Sequence, residues 1–167
     1  MPAGLLYRGP TLDELHERWA KAGRVDTDAP VRARSEVVVA AGPDRVWAVL
    51  ADAARWSTID PAIHDVELSD GVRVDAPFTW RNGRSRIRSR FAVVEPGHEL
   101  TWTGTSAGAR AVHRHVLTAT EDGGTRLLTE ESMAAPLLAL LYPSRKLEVG
   151  LASWAGAIKA AVEGAPR

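Results

Sequence analysis

Hydrophobic positions along the chain follow two periods. From Val31 to Val39, Ser35, Val37 and Val39 alternate with Arg34, Glu36 and Val38, which predicts a strand with one buried face. Gly42-Pro43 ends it, and Pro43 suits the first position of a helix over Pro43–Leu50 that carries Val46, Trp47, Val49 and Leu50. The segment Trp56 to Pro61 reads as irregular or briefly helical. Six further strand patterns follow, near Ile63–Leu68, Asp75–Arg81, Arg84–Val94, Glu99–Thr105, Ala111–Thr120 and Thr125–Met133. Their punctuation is Asp70-Gly71, Asn82-Gly83, Pro96-Gly97, Ala107-Gly108 and Asp122-Gly123-Gly124. Asn-Gly between two strand-like runs is a strong hairpin signal, and strands linked by short turns predict an antiparallel meander.

The period then changes back. Leu147, Leu151, Trp154, Ile158 and Val162 form a helical stripe of about four turns. Pro143 separates this helix from a short one at Leu137–Tyr142, with Ser144 expected as N-cap. The stripe has one obvious place to be buried, the concave face of the sheet. The expected fold is therefore α+β, a curved antiparallel sheet of six to seven strands wrapped around a long C-terminal helix. Residues 1–30 read as an appendage of helix and linker, and residues 31–164 as the domain. In the appendage Thr11 and Glu14 form a capping box, Gly23 a stop, and Leu12, Leu15 and Trp19 an apolar stripe.

Composition narrows the function. The 167 residues fit one domain, in which ~70% of the unfolded surface is buried. Twenty-one basic residues balance 21 acidic ones, which argues against nucleic acid as a partner. Without cysteine there are no disulfides, thiolate metal sites or Cys nucleophiles. No signal-peptide h-region and no run of ~20 apolar residues is present, so the expectation is a cytoplasmic protein without stable membrane insertion, monomer or homodimer. Eighteen arginines against three lysines, with abundant alanine, suggest a high-GC bacterial origin. Arg84, Arg86, Arg88 and Arg90 alternate along one strand, a pattern that fits a solvated outer face better than a phosphate stripe.

The opening strand followed by "PDRVWAVLAD" at 43–52 and Trp56, then "ELTWTG" at 99–104, "HRHVL" at 113–117 and "GGTRLLTEES" at 123–132, resembles the SRPBCC superfamily (START-like, helix-grip fold). The resemblance is closest to the bacterial polyketide cyclase/dehydrase-like branch and runs from Val31 to Gly164. Many relatives carry a second Trp near the position of Ile59, where this chain departs from the pattern. The resemblance implies a cavity between sheet and C-terminal helix for lipids, sterols, polyketides, plant hormones or quinones, with some members catalysing cyclisation or aromatisation. Fold alone does not choose between carrier and enzyme.

Strand parity selects the lining. Leu100 and Trp102 point inward, Phe78 shares a face with Trp80, and Ile87 and Ser89 share one with Phe91 and Val93. Leu117 inside puts His113 and His115 inside as well. On the last strand a three-residue turn at Asp122–Gly124 pairs Leu117 with Thr129 and His115 with Glu131. A two-residue turn would point Glu130 inward instead, and the family resemblance favours Glu131. Leu151 and Trp154 complete the apolar wall, with Ser35, Ser89, His113, His115, Thr129 and Glu131 as its polar groups.

The candidate chemistry is His113-x-His115 with Glu131, since a carboxylate beside an imidazole makes a general base that suits proton abstraction next to a ketone. Two histidines two apart could chelate zinc with a carboxylate, but the spacing is common by chance, so neither metal nor cofactor is expected. Phosphate-loop and nucleophile-elbow motifs are absent. The leading expectation is binding of a small hydrophobic or aromatic ligand, lipid- or polyketide-like, in the internal cavity. The alternatives are a polyketide cyclase/aromatase- or dehydratase-type enzyme using His113, His115 and Glu131, and a protein-interaction module.

Overall fold

The computed structural model describes residues 4–164; residues 1–3 of the expected appendage lie outside the described residues. Seven strands form one antiparallel sheet: β1 (Val31–Val39), β2 (Ile63–Leu68), β3 (Pro77–Asn82), β4 (Ser85–Glu95), β5 (Glu99–Ser106), β6 (Ala109–Ala119) and β7 (Thr125–Ala134). The spatial order β1-β7-β6-β5-β4-β3-β2 is a meander whose opening strand returns beside its last. The first helix in the chain is the short α1 (Leu12–Glu14); α2 (Pro43–Leu50) and α3 (Trp56–Ile59) bridge β1 and β2. After α4 (Leu138–Leu141), the long helix α5 (Ser144–Gly164) buries Leu147, Leu151, Trp154, Ala155, Ile158 and Val162. This is the expected α+β helix grip. The expected N-cap is corrected: Ser144 Oγ accepts the Arg32 N–H at 3.1 Å, while the Pro143 carbonyl accepts the Lys146 N–H at 2.9 Å.

Two registers place the site. The turn before β7 closes with Thr120 N–H donating to the Gly124 carbonyl, leaving Glu121, Asp122 and Gly123 as the loop, with Gly123 at φ +82°. Gly124 closes the turn just before β7, and the position is restricted to glycine because a Cβ there would stand 2.8 Å from the Val39 carbonyl oxygen. The turn thus sits one residue earlier than expected. Such a step moves every pairing by two, which preserves faces and changes partners. Leu117 pairs with Leu127, His115 with Thr129 and His113 with Glu131. The second irregularity is a bulge between Phe91 and Val93, which turns Ala92 outward and corrects the expectation that Val93 lies inward: Phe91 and Val94 pack on the main core.

The convex face is covered by an N-terminal strap. Its capping box is formed, with Thr11 N–H donating to Glu14 Oε2 at 3.1 Å and Glu14 N–H to Thr11 Oγ1 at 3.2 Å. The helix widens to π geometry over Leu15–Trp19, so Leu15, His16 and Ala20 are buried where Leu12, Leu15 and Trp19 were expected. His16 is fully buried, its Nδ1 2.8 Å from Thr103 Oγ1 on β5 and its Nε2 2.9 Å from Asp75 Oδ1. Arg90 bonds Asp13 of the strap at 3.2 Å, while Arg84, Arg86 and Arg88 are exposed on the outer sheet.

Burial pushes the His16 pKa below its ordinary 6.5; the Asp75 hydrogen bond opposes this, while Arg90 and Lys21 add to it. The docked ring therefore favours the neutral form. Docking is strongest above 6.5 and weakens as the pH falls through the lowered docked value. Amide protection factors over residues 12–22 should fall on acidification from about pH 7 to about pH 5, and His16→Leu should remove that dependence. Protection that stays flat in the unmodified protein over that range would contradict a neutral, buried His16.

Candidate functional site

The inward faces of β3 to β7 and of α5 bring most expected site residues together. Phe78, Trp80, Phe91, Leu100, Trp102, Leu117 and Trp154 share one buried core, with Ile87 half-buried against it and Ser89 accepting the Trp80 indole N–H at 3.1 Å. Leu151 does not join them; it packs with Val31 and Leu147 in a neighbouring cluster that includes Tyr142 and Met133. Trp56, which strand parity could not place, stands at the centre. Its ring meets those of Trp102 at 5.2 Å, Trp154 at 5.7 Å, and Phe78 and Trp80 at 6.1 Å, and its N–H is fixed on the Leu50 carbonyl. The space between sheet and helix is thus occupied by packed rings. A surface groove of about 270 Å³ beside the β6–β7 turn, lined by Val38, Gly123 and Lys159 among others, contains none of the expected site residues.

Through this apolar face runs a chain of polar contacts. Glu131 Oε2 lies 3.1 Å from His113 Nδ1, His113 Nε2 lies 3.3 Å from His115 Nε2, and the Trp154 indole N–H donates to His115 Nε2 at 2.9 Å. The Trp102 ring stacks on His113 with centroids 4.5 Å apart and planes within 5°. The expected pairing is corrected here: Glu131 bonds His113, not His115, because of the shifted turn. Glu130 points outward, where the Arg114 fork binds Glu99 through two 2.9 Å contacts and Glu130 through one of 2.8 Å.

Hydrogen-bond geometry assigns the protons. An indole can only donate, so His115 Nε2 is a lone pair and a neutral His115 carries its hydrogen on Nδ1. His113 Nε2 stands 3.3 Å from the same nitrogen, whose single lone pair the indole already engages. Glu131 faces the other ring nitrogen of His113, and a proton between them makes that 3.1 Å contact a hydrogen bond. Complete burial holds the His115 pKa well below 6.5; the His113 charge reinforces this, and the Leu100 backbone opposes it. The expectation that Glu131 raises the His115 pKa is corrected accordingly: burial dominates and the carboxylate sits on the other ring. Tyr142, half-buried near Glu131, has its pKa raised by burial and then by that carboxylate; its only mark in the sequence is an aromatic ending a leucine run.

The His113–His115–Glu131 arrangement is poorly suited to a metal. Glu131 lies on the far nitrogen of His113, and Trp154 occupies the His115 lone pair. A second group, His16, Glu17 and Asp75, has ligand spacing on the convex side, but the Lys21 ammonium stands 3.1 Å from Glu17 and 2.9 Å from Asp75. Among the described residues no helix is long and apolar enough to cross a membrane.

Fold and site together define a helix-grip protein with a polar chain set into an aromatic interior. Residues 30–164 match the family described as polyketide cyclase / dehydrase and lipid transport, and the chain belongs to that family. A comparison with curated protein sequences returns no match. Among solved structures, a hypothetical protein from Helicobacter pylori superposes with TM-score 0.76 at 17% identity, covering 87% of this chain and 95% of that one. An aromatase/cyclase from Streptomyces sp. R1128 gives 0.69 at 18% identity, covering 79% and 93%. Truncated norcoclaurine synthase from Thalictrum flavum gives 0.67 at 16%, covering 81% and 94%.

Imidazole nitrogen shifts should identify one of the five histidines as a neutral Nδ1–H tautomer that persists as the pH is lowered through 6.5. Trp154→Phe removes the donor and should let the Nε2–H tautomer appear. An imidazolium at His115 at neutral pH would overturn the assignment.

Proposed function

We propose that this protein binds a mostly apolar, ring-bearing ligand inside the grip, between the Trp102 wall of the sheet and Trp154 of α5, with His113 and Glu131 orienting the ligand's polar end. One observation carries this reading: a continuous polar chain, Glu131–His113–His115–Trp154, is buried in an otherwise apolar face and ends at side chains still 11% (His113) and 15% (Glu131) exposed. Polar groups so placed are costly in a core and useful in a pocket. Admission requires rings to move, and the short helix α4 beside Tyr142 is the place for it. Leu138, Ala139 and Tyr142 pack inward there, while Leu140 and Leu141 face solvent. The belonging of the chain to a family that includes lipid transport and polyketide cyclisation supports the same ligand class.

A second reading, proton-transfer catalysis of a cyclisation or dehydration, is favoured by the 3.1 Å contact between His113 Nδ1 and Glu131. In it, that pair exchanges a proton with the ligand, while His115, held neutral, serves as a donor. A protein-interaction role has no specific support from this geometry.

An apolar fluorescent probe should bind at 1:1. Trp154→Phe and Glu131→Gln should each weaken it by about threefold to tenfold, the worth of one hydrogen bond or ring contact. Thermal melts run alongside separate affinity from folding. Unchanged affinity in both folded variants would place the ligand elsewhere. Turnover of a polyketone abolished by Glu131→Gln, with binding retained, would establish the enzymatic reading.

A further inference from the structure

Two buried polar atoms have no hydrogen-bond partner among the described residues: His115 Nδ1 and Thr129 Oγ1. Both side chains are fully buried, and the two residues face each other across β6 and β7. Directly opposed residues on one sheet face have Cβ atoms about 4.5–5.5 Å apart, near enough for one atom to bond both. The Leu100 backbone lies beside the His115 ring and weakly favours its protonated form, but no group meets full hydrogen-bond geometry at Nδ1, which keeps that position open to a closer acceptor. Unpaired polar groups at such depth are rare in native proteins and work against folding. Their chemistry is specific. The Trp154 bond fixes His115 with its hydrogen on Nδ1, so that atom is a donor. The Thr129 hydroxyl can donate beside it. Two donors on an apolar wall call for an oxygen that only accepts.

We propose that His115 Nδ1–H and Thr129 Oγ1–H grip a carbonyl-type oxygen of the ligand, a ketone, quinone or phenolate, at the buried end of the site. The inference rests on the grip being a ligand site and adds the substrate class: a ring system bearing an acceptor oxygen. Trp154 is in this account a positioning residue. It sets the tautomer of His115 through Nε2 and so keeps the donor directed at the ligand. In the catalytic reading the same two donors would stabilise enolate character on that oxygen while the His113–Glu131 pair moves the proton.

Fluorene and 9-fluorenone share a skeleton and differ by one carbonyl, so tryptophan-quenching titrations of the two isolate the oxygen. The unmodified protein should bind fluorenone about tenfold more tightly than fluorene. Thr129→Val keeps the shape and removes the hydroxyl; it should reduce fluorenone affinity, leave fluorene affinity unchanged and raise the Tm, because an unpaired buried hydroxyl is lost. A merely structural Thr129 would lower the Tm instead. As a check independent of any variant, fluorenone should move the His115 imidazole nitrogen resonances more than fluorene does. Equal affinity for the two probes, or a preference that survives Thr129→Val, would overturn the carbonyl grip and leave the apolar-ligand reading standing. Binding of neither probe would overturn both.

Discussion

On β6 and β7 consecutive side chains face opposite sides of the sheet, so a single register decides the chemistry of both faces. His113 opposite Glu131 falls inside the grip, and Arg114 opposite Glu130 falls on the convex face, where Glu99 completes the fork. A slip of one residue would send Arg114 into the aromatic interior and the His–Glu pair outward. An unpaired ion in such surroundings is penalised by several kcal/mol, which makes this one of the most strongly specified registers in the sheet. The site thus needs no separate device to hold its carboxylate. The Arg114 fork on the other side of the same two strands positions Glu131 by sorting the charges.

The aromatic interior has two roles that pull against each other. Each ring pair contributes about 0.5–1.5 kcal/mol beyond the area it buries, and Trp56 takes part in four such contacts. Opening the grip gives some of these up. A ligand with flat rings can restore edge and face contacts as it enters, whereas a flexible chain restores only buried area. On the proposed reading, this is the physical reason for an aromatic or polycyclic occupant. The two central tryptophans differ in how they are tethered. Trp56 is bonded to the Leu50 backbone, a scaffold contact, while Trp154 is bonded to His115, a site contact. A motion of Trp154 changes the hydrogen bonding of the histidines as well as the shape of the interior.

The sequence carried the strands, their antiparallel meander and, outside the bulge of β4, their faces, because period-two alternation and Gly-containing turns are local signals. Every residue expected to face inward along β5, β6 and β7 does so. What was not legible depended on contacts between distant segments. The placement of the last turn hinges on Gly124, which is glycine because the Val39 carbonyl approaches it from another strand, so the partner of Glu131 was expected two residues off. The direction of the His115 pKa shift followed from burial by α5, which strand parity cannot report. Trp56 sits on an irregular helix without periodicity, so its central position had no pattern to announce it. His16 was hidden for a related reason: the π widening moves the buried face by one residue, and a helical wheel of 3.6 residues misplaces it.

β5 is where the strap and the site meet. Its outward Thr103 is bonded to His16 of the strap, and its inward neighbour Trp102 stacks on His113. Consecutive residues of one strand cannot shift independently, so a displacement of the strap that tilts Thr103 tilts the wall against which His113 lies. Each face of this strand also borders a fully buried histidine whose burial favours the neutral ring, His16 outside and His115 inside. Protonation therefore acts in the same direction on both: it disfavours the docked strap and the Trp154–His115 bond together, since an imidazolium at His115 would present an N–H to the indole N–H. The shared wall gives the appendage, which family resemblance leaves outside the domain, a physical route to the grip.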